Sequence, residues 1–231
     1  MSSARGFDRL ARCYRTLELA AFGRDLERTR WSLLDRLVDC RTILVLGEGD
    51  GRCLERLLAI APEARIDCVD FSSAMLARAA RRLSPRARER VRFLQRDVLA
   101  DELPPGPYCA VVTMFFLDCF TDAELAILAP RIRARLLPAA SWLWADFALP
   151  ERGFARLRAR CWLALLYAFF RRCTALSARA LPAAEAQIER AGFVRIAEDV
   201  RRGGLLRCAL FRAGEVTDSG CGTARRVQPA P

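Results

Sequence analysis

The sequence predicts an α/β fold: a largely parallel sheet with helices on both faces, closed by an antiparallel hairpin. From Ile43 onward, short β-rich runs alternate with Ala/Leu/Arg-rich helical stretches, the signature of a parallel sheet covered on both sides. The helical stretches carry start and stop signals at the right places. The last two β-rich runs are separated by only a few residues including Gly203-Gly204, too few for a crossover helix, so they pair antiparallel.

Taken in order, residues 5–38 place apolar side chains at helical spacing (Phe7, Leu10, Tyr14, Leu17, then Leu26, Leu33, Leu34, Leu37), broken near Gly23. Two helices are expected there, as a preface to the sheet over 1–38. Strands follow at 43–47 (ILVLG), 65–70 (RIDCVD), 91–95 (VRFLQ), 109–117 (CAVVTMFFL) and 140–147 (ASWLWADF), with helices at about 51–60, 73–83 and 122–136 between them. Ser72 caps the second of these helices and Ser84-Pro85 stops it, while Thr121-Asp-Ala-Glu124 forms a capping box for the third. A long helical segment at about 153–180, a short helix ending at Ala191-Gly192, and strands at 193–200 and 205–211 complete the domain, which is expected to run over 39–212. Residues 213–231 read as a disordered tail.

Composition narrows the chemistry. With 231 residues, 53% apolar and 28% charged, the chain can bury a sizeable core, and no apolar run approaches the ~20 residues of a membrane span. The formal charge is +11 with no His, and every cation is Arg because Lys is absent too. This excludes a Ser-His-Asp or Cys-His apparatus, a Schiff-base lysine, a P-loop lysine and a His-ligated metal; no metal site is expected. A basic balance fits nucleic acid or an anionic membrane surface, but complete replacement of Lys by Arg reads better as compositional bias. The ten cysteines contain no CxxC pair, and several lie in apolar runs, as reduced thiols do. The opening stretch MSSARGFDRLARCYR has no apolar core or cleavage site of a secretory signal, so a cytoplasmic location is expected.

The most informative segment is Ile43-Leu-Val-Leu-Gly-Glu-Gly-Asp-Gly-Arg52, a buried strand running through three alternating glycines into a helix. Bare backbone N–H groups and a positive helix end then face a ligand's anionic group. A dinucleotide fingerprint would need a glycine where Arg52 stands, so the GxGxG spacing argues against NAD.

On these residues the sequence resembles the class I S-adenosylmethionine-dependent methyltransferases, over about 40–212. The resemblance implies their Rossmann-like seven-stranded sheet and S-adenosyl-L-methionine as cofactor. It implies that Gly47, Gly49 and Gly51 contact the methionine part, and that Asp70, in CVDFSSAML, holds the ribose hydroxyls. It further implies that Asp97 meets the adenine amino group, that Phe71 and Val98 sandwich the ring, and that Thr113 lies on the cofactor side of the fourth strand. The family's acidic residue two positions before the first glycine is Val45 here, leaving Glu48 or Asp118 for the methionine ammonium. The Asn/Asp-Pro-Pro-aromatic signature of base amino-group methylation is absent, since the tract reads TMFFLD, which argues against a DNA adenine methylase.

Ligands in such sheets sit beyond the carboxyl ends of the strands, which puts Phe115, Phe116 and Asp118 near the transferable methyl. If the nucleophile is a hydroxyl it needs a base, and without His or Lys the choices are Asp118, Tyr14 and Asp146; Asp118 is preferred. The tract at 115–118, with the Arg-x-Tyr-x-x-Leu-Glu stretch at 12–18, also resembles a group of bacterial methyltransferases of small-molecule type, with Tyr14 on the acceptor side. Segment 161–170 (CWLALLYAFF), flanked by arginines, fits a core helix, a cap over an apolar acceptor site with Trp162 facing it, or a helix resting on a membrane surface. The function expected is O- or C-methylation of a small, partly apolar acceptor. The competing readings are a cofactor-binding protein without catalysis and an RNA methyltransferase, the latter supported only by the charge. Sequence identifies neither the acceptor nor the oligomeric state.

Overall fold

A computed structural model describes residues 22–150, 153–174 and 180–214, and for 155 and 165–174 the backbone alone. A seven-stranded sheet in the order β3-β2-β1-β4-β5-β7-β6 is built from β1 (Thr42–Leu46), β2 (Arg65–Asp70), β3 (Val91–Gln95), β4 (Tyr108–Met114), β5 (Leu136–Phe147), β6 (Phe193–Arg201) and β7 (Leu206–Ala213). The first five run parallel, and β7 lies antiparallel between β5 and β6. The helices are α1 (Asp25–Trp31), α2 (Arg52–Ile60), α3 (Ser73–Arg82), α4 (Pro85–Arg88), α5 (Asp122–Arg133), α6 (Gly153–Thr174) and α7 (Ala184–Arg190).

Strand β1 shows why the sheet is covered on both sides. Ile43 and Val45 point into one core with Leu54 and Leu57 of α2 and Leu76 of α3, while Leu44 and Leu46 point into the other with Leu125 and Leu128 of α5 and Ile188 of α7. Successive side chains leave opposite faces of a strand, so an all-apolar strand needs two cores. A third cluster gathers Phe22, Leu26, Phe147, Leu163 and Leu206, and fastens α6 to the end of β5.

The capping box at Thr121 forms as expected, with Glu124 N–H donating to Thr121 Oγ1 at 3.3 Å and Thr121 N–H to Glu124 Oε2 at 2.7 Å. Several boundaries differ from the sequence expectation, among them the end of the last strand, which runs to Ala213 rather than 211. Ser84-Pro85 starts a helix as well as following one: Ser84 accepts Ala87 N–H, and Pro85 fills the first turn of α4, where its missing N–H costs nothing. The fourth strand ends at Met114 rather than at 117, because Phe115 adopts φ +54°, which no strand tolerates. Helix α5 stops at Arg133, and β5 starts four residues early at Leu136. Helix α6 is described to Thr174. Of the preface helices, residues 1–21 lie outside the described part, and α1 with a 3₁₀ turn at Leu34–Leu37 make up the rest. Gly203 and Gly204 both take positive φ in the turn between β6 and β7, as a tight hairpin requires.

Candidate active site

Beyond the carboxyl ends of β1, β2 and β4 lies a cavity of about 400 Å³, in the size range of small-molecule sites. The glycine turn after β1 forms one wall. Gly47, Gly49 and Gly51 all hold positive φ, and a Cβ on Gly49 would meet nothing within 4 Å, so that its face opens onto free space. A Cβ on Gly47 would fall 2.0 Å from Cδ2 of Phe116, whose ring rests on the bare glycine. A Cβ on Gly51 would fall 2.6 Å from the backbone of Ala79, so this glycine serves the packing of α2 on α3.

Glu48 is the electrostatic feature of this wall. Its Oε1 accepts the Leu54 N–H at 2.9 Å, closing the first turn of α2, while Oε2 is buried and without a hydrogen-bond partner. Burial pushes its carboxyl up to about 7, against partial relief from the Leu54 N–H and from Arg30. Arg30, from α1, also lines the cavity; it is only 8% exposed, and its guanidinium lies 4.9 Å over the Phe115 ring. Asp50 accepts from Arg52 Nε at 2.9 Å and lies 3.5 Å from Arg82, and the carboxyl stays below the usual range because these cations outweigh its burial.

Asp70 ends β2. Its Oδ1 accepts Ser72 N–H at 2.8 Å and its Oδ2 lies 3.4 Å from Gly49 N, which ties the β2 end to the glycine turn. Phe71, Asp97 and Val98 complete that side of the cavity, with Asp97 Oδ1 accepting Leu99 N–H at 2.9 Å. Phe115, Phe116, Cys119 and Phe120 line the far side.

The structure thus brings Gly47, Glu48, Gly49, Asp70, Phe71, Asp97, Val98, Phe115 and Phe116 around one space. Of the other expected site residues, Gly51 packs on α3, and Thr113 and Trp162 stand away from the lining. Thr113 is fully buried, with Oγ1 accepting the Trp142 indole N–H at 2.9 Å, so its side chain faces the core and not the cavity. Trp162 packs edge-on against Phe22 at 6.0 Å and is linked to the cavity-lining Phe115 through Phe22 and Phe147 in succession. Leu163 and Ala159, on the same face of α6, are buried, so the described part of this helix is held as core against Phe147 and Leu206. Tyr14 lies outside the described residues.

Asp118 stands just behind the cavity lining, in a 3₁₀ turn between Phe116 and Cys119. Its N–H donates to Asp146 Oδ2 at 3.1 Å, and the two carboxyls are hydrogen-bonded to each other. Asp146 is 1% exposed and also accepts the Trp144 indole N–H at 3.2 Å on Oδ2 and the Phe147 N–H at 3.2 Å on Oδ1. Desolvation raises both acids, and their proximity means that the pair retains a proton which an isolated carboxylate would have lost.

Arg30 and the partnership of Asp146 with Asp118 are what sequence reasoning missed. Among the described residues no group of three or more His, Cys, Asp or Glu is placed to hold a metal, and no helix is long and apolar enough to cross a membrane.

Comparison with known proteins agrees with this geometry. Residues 43–139 match the family described as a methyltransferase domain. The chain is 34% identical over 137 residues to a demethylmenaquinone methyltransferase of Thermus thermophilus, covering 58% of this chain and 60% of that one. Among solved structures it shares the fold of mitomycin 7-O-methyltransferase (TM-score 0.65, 17% identity, 90% of this chain and 60% of that one). It shares it also with human N-acetylserotonin methyltransferase in complex with S-adenosylmethionine (TM-score 0.57, 18% identity, 87% and 59%). The chain therefore spans about three fifths of the length of these relatives.

Proposed function

We propose that the protein, whose residues 43–139 match the methyltransferase-domain family, transfers a methyl group from S-adenosyl-L-methionine to oxygen or carbon of a small, partly apolar acceptor. The observation that carries this reading is the wall built by the glycine turn, where an open Gly49 face adjoins a buried, partnerless carboxylate oxygen of Glu48. An orphaned buried acceptor is costly unless a ligand satisfies it, and the ammonium of an amino acid is the matching donor. Arg30, a buried guanidinium lining the same cavity, is the match for the adjoining carboxylate. Glu48 thereby replaces the missing acid at Val45. Asp70 serves the ribose hydroxyls, Asp97 the adenine amino group, and Phe71 and Val98 the faces of the ring.

When bound, the cofactor supplies a methyl already activated by its sulfonium, so the chain's task is alignment and exclusion of water. Phe115, Phe116 and Phe120 provide an apolar wall for the acceptor. For a hydroxyl acceptor, the Asp118–Asp146 pair takes up the proton behind that wall, directly or through one water. Asp118 receives it, and Asp146 holds Asp118 in place through the N–H bond at 3.1 Å.

Titration calorimetry with S-adenosylmethionine, its demethylated product and NAD tests the cofactor. Binding of the first two and not the third is expected, and the reverse overturns the reading. A screen of small molecules and total RNA for labelled methyl transfer then tests the acceptor class, and label in RNA alone would refute the small-molecule part.

A further inference from the structure

Helix α6 turns two different sides to its surroundings. At about 100° per residue, Ala159 and Leu163 share the inner side, and both are buried in the cluster that holds Phe147 and Leu206. Phe154, Leu157 and Cys161, at i, i+3 and i+7, share the opposite side. Phe154 is 79% exposed and Leu157 59%, and Cys161 is exposed with them. Arg158 and Arg160, both exposed, fall on the two borders of this outer side, one to each flank. Over the whole of 153–174 the sequence carries five arginines and no acidic residue.

We propose that the outer side of α6 is a docking face for an anionic lipid bilayer, on which the helix lies in the plane of the surface. Phe154 and Leu157 enter the boundary between headgroups and acyl chains, and the guanidiniums of Arg158 and Arg160 stay at headgroup phosphates on either side. Single apolar side chains at a protein surface are ordinary. An apolar strip bordered by cations on both flanks, in a helix without one acid, is the pattern of a helix at a lipid surface. Charge decides between the occupants. A second copy of the chain would bring arginines against arginines. A nucleic acid would satisfy the guanidiniums but leave Phe154 and Leu157 in water. An anionic bilayer satisfies both kinds of side chain at once. The inner side stays as it is, since Ala159 and Leu163 remain packed on the domain.

The test is flotation of the full chain with vesicles of phosphatidylcholine alone and of an equal mixture of phosphatidylcholine and phosphatidylglycerol. It needs neither cofactor nor acceptor, so it stands or falls apart from the methyl-transfer reading. Binding to the mixed vesicles, weak binding to the neutral ones, and weakening by salt are expected. A chain of charge +11 also adsorbs to anionic surfaces without any built face, so the deciding variant leaves the charge alone. Phe154→Ser with Leu157→Ser should lower partitioning into the mixed vesicles about tenfold or more. Arg158→Gln with Arg160→Gln should lower it about fivefold for each arginine removed. None of these side chains lines the cavity or lies in the core, so the melting temperature should stay that of the parent chain. Failure to float with the mixed vesicles would overturn the proposal, and so would partitioning that the Phe154 and Leu157 changes leave intact. Two other results would also overturn it, each in the absence of flotation: a dimer in sedimentation equilibrium that those two changes split, or retention of total RNA that the arginine changes abolish.

Discussion

Glu48 links cofactor binding to pH in a way that measurement can decide. Burial pushes its carboxyl up to about 7, against an ordinary value of 4.5, and outweighs the Leu54 N–H and Arg30. At 1.36 kcal/mol per unit, holding it ionised in the folded chain costs about 3 kcal/mol. The folded value is raised, so the protonated form is the one that folding favours. Stability from this group is complete below about pH 4.5, falls as pH climbs toward 7, and is level above. A ligand ammonium beside Oε2 reverses the preference, since it stabilises the ionised form. Affinity for S-adenosylmethionine should then rise about tenfold per pH unit up to about 7 and flatten beyond it, with release of about half a proton at pH 7 and nearly one at pH 6. Calorimetry between about pH 5.5 and 8, in buffers of different ionisation enthalpy, reads both the affinity and the proton count. In Glu48→Gln the profile should be flat, with no proton released, and the unliganded variant should be more stable than the parent chain above pH 7. A parent chain whose affinity and heats ignore pH and buffer would refute the assignment of Glu48 to the ammonium.

Other outcomes follow from the same geometry. Asp70→Asn keeps the shape of the β2 end but removes a charged acceptor, and should weaken cofactor binding by about 1.5–3 kcal/mol in the same calorimeter. Gly47→Ala should abolish binding, since its methyl would lie 2.0 Å from the Phe116 ring; Phe116→Ala in the same chain should restore part of it, the remaining deficit being the strain of alanine at φ +66°. Asp146→Ala removes the hydrogen bond that holds Asp118 down and leaves its burial in place, so the acid limb of methyl transfer to a hydroxyl acceptor should move to higher pH. A limb that stays where it was would detach Asp118 from proton transfer.

Most of the scaffold was legible because its signals are local. The runs at 43–47, 65–70 and 91–95 match their strands to within a residue, and the capping box at Thr121 starts α5 where it was read. The glycine turn and Asp70 were legible for the same reason: a strand end, a turn and a helix start lie within ten residues. What escaped depends on contacts distant in sequence. The left-handed backbone of Phe115 has no signature, since phenylalanine disfavours it; it persists with Phe115 N–H bonded to the Ala145 carbonyl at 2.7 Å and the ring held against Arg30 and Phe147. Trp162 has the spacing of a cap face, yet Phe22, from the other end of the domain, occupies the place between it and the cavity. Asp146 is the penultimate residue of a largely apolar strand, and nothing before the fold says that its partner is another acid 28 residues away.

The charge of +11 is the signal that most invited a nucleic-acid reading, and the structure gives many of the described arginines local work. Arg90 spends its guanidinium on the carbonyls of Leu58, Ala61 and Pro62 at the end of α2, at 2.9, 3.1 and 2.7 Å. Arg131 holds the loop after β3 through the carbonyls of Val98, Leu99 and Asp101. Arg92 pairs with Asp67, Arg195 and Arg207 with Glu185, and Arg202 with Asp25. A rigid fork of five donors suits such carbonyl ends better than an ammonium does. The same property allows Arg30 to stay charged on the Phe115 ring at 8% exposure, where burial would press a lysine toward neutrality. These arginines are bound up in the fold and the site, so the net charge does not by itself argue for a phosphate backbone as partner.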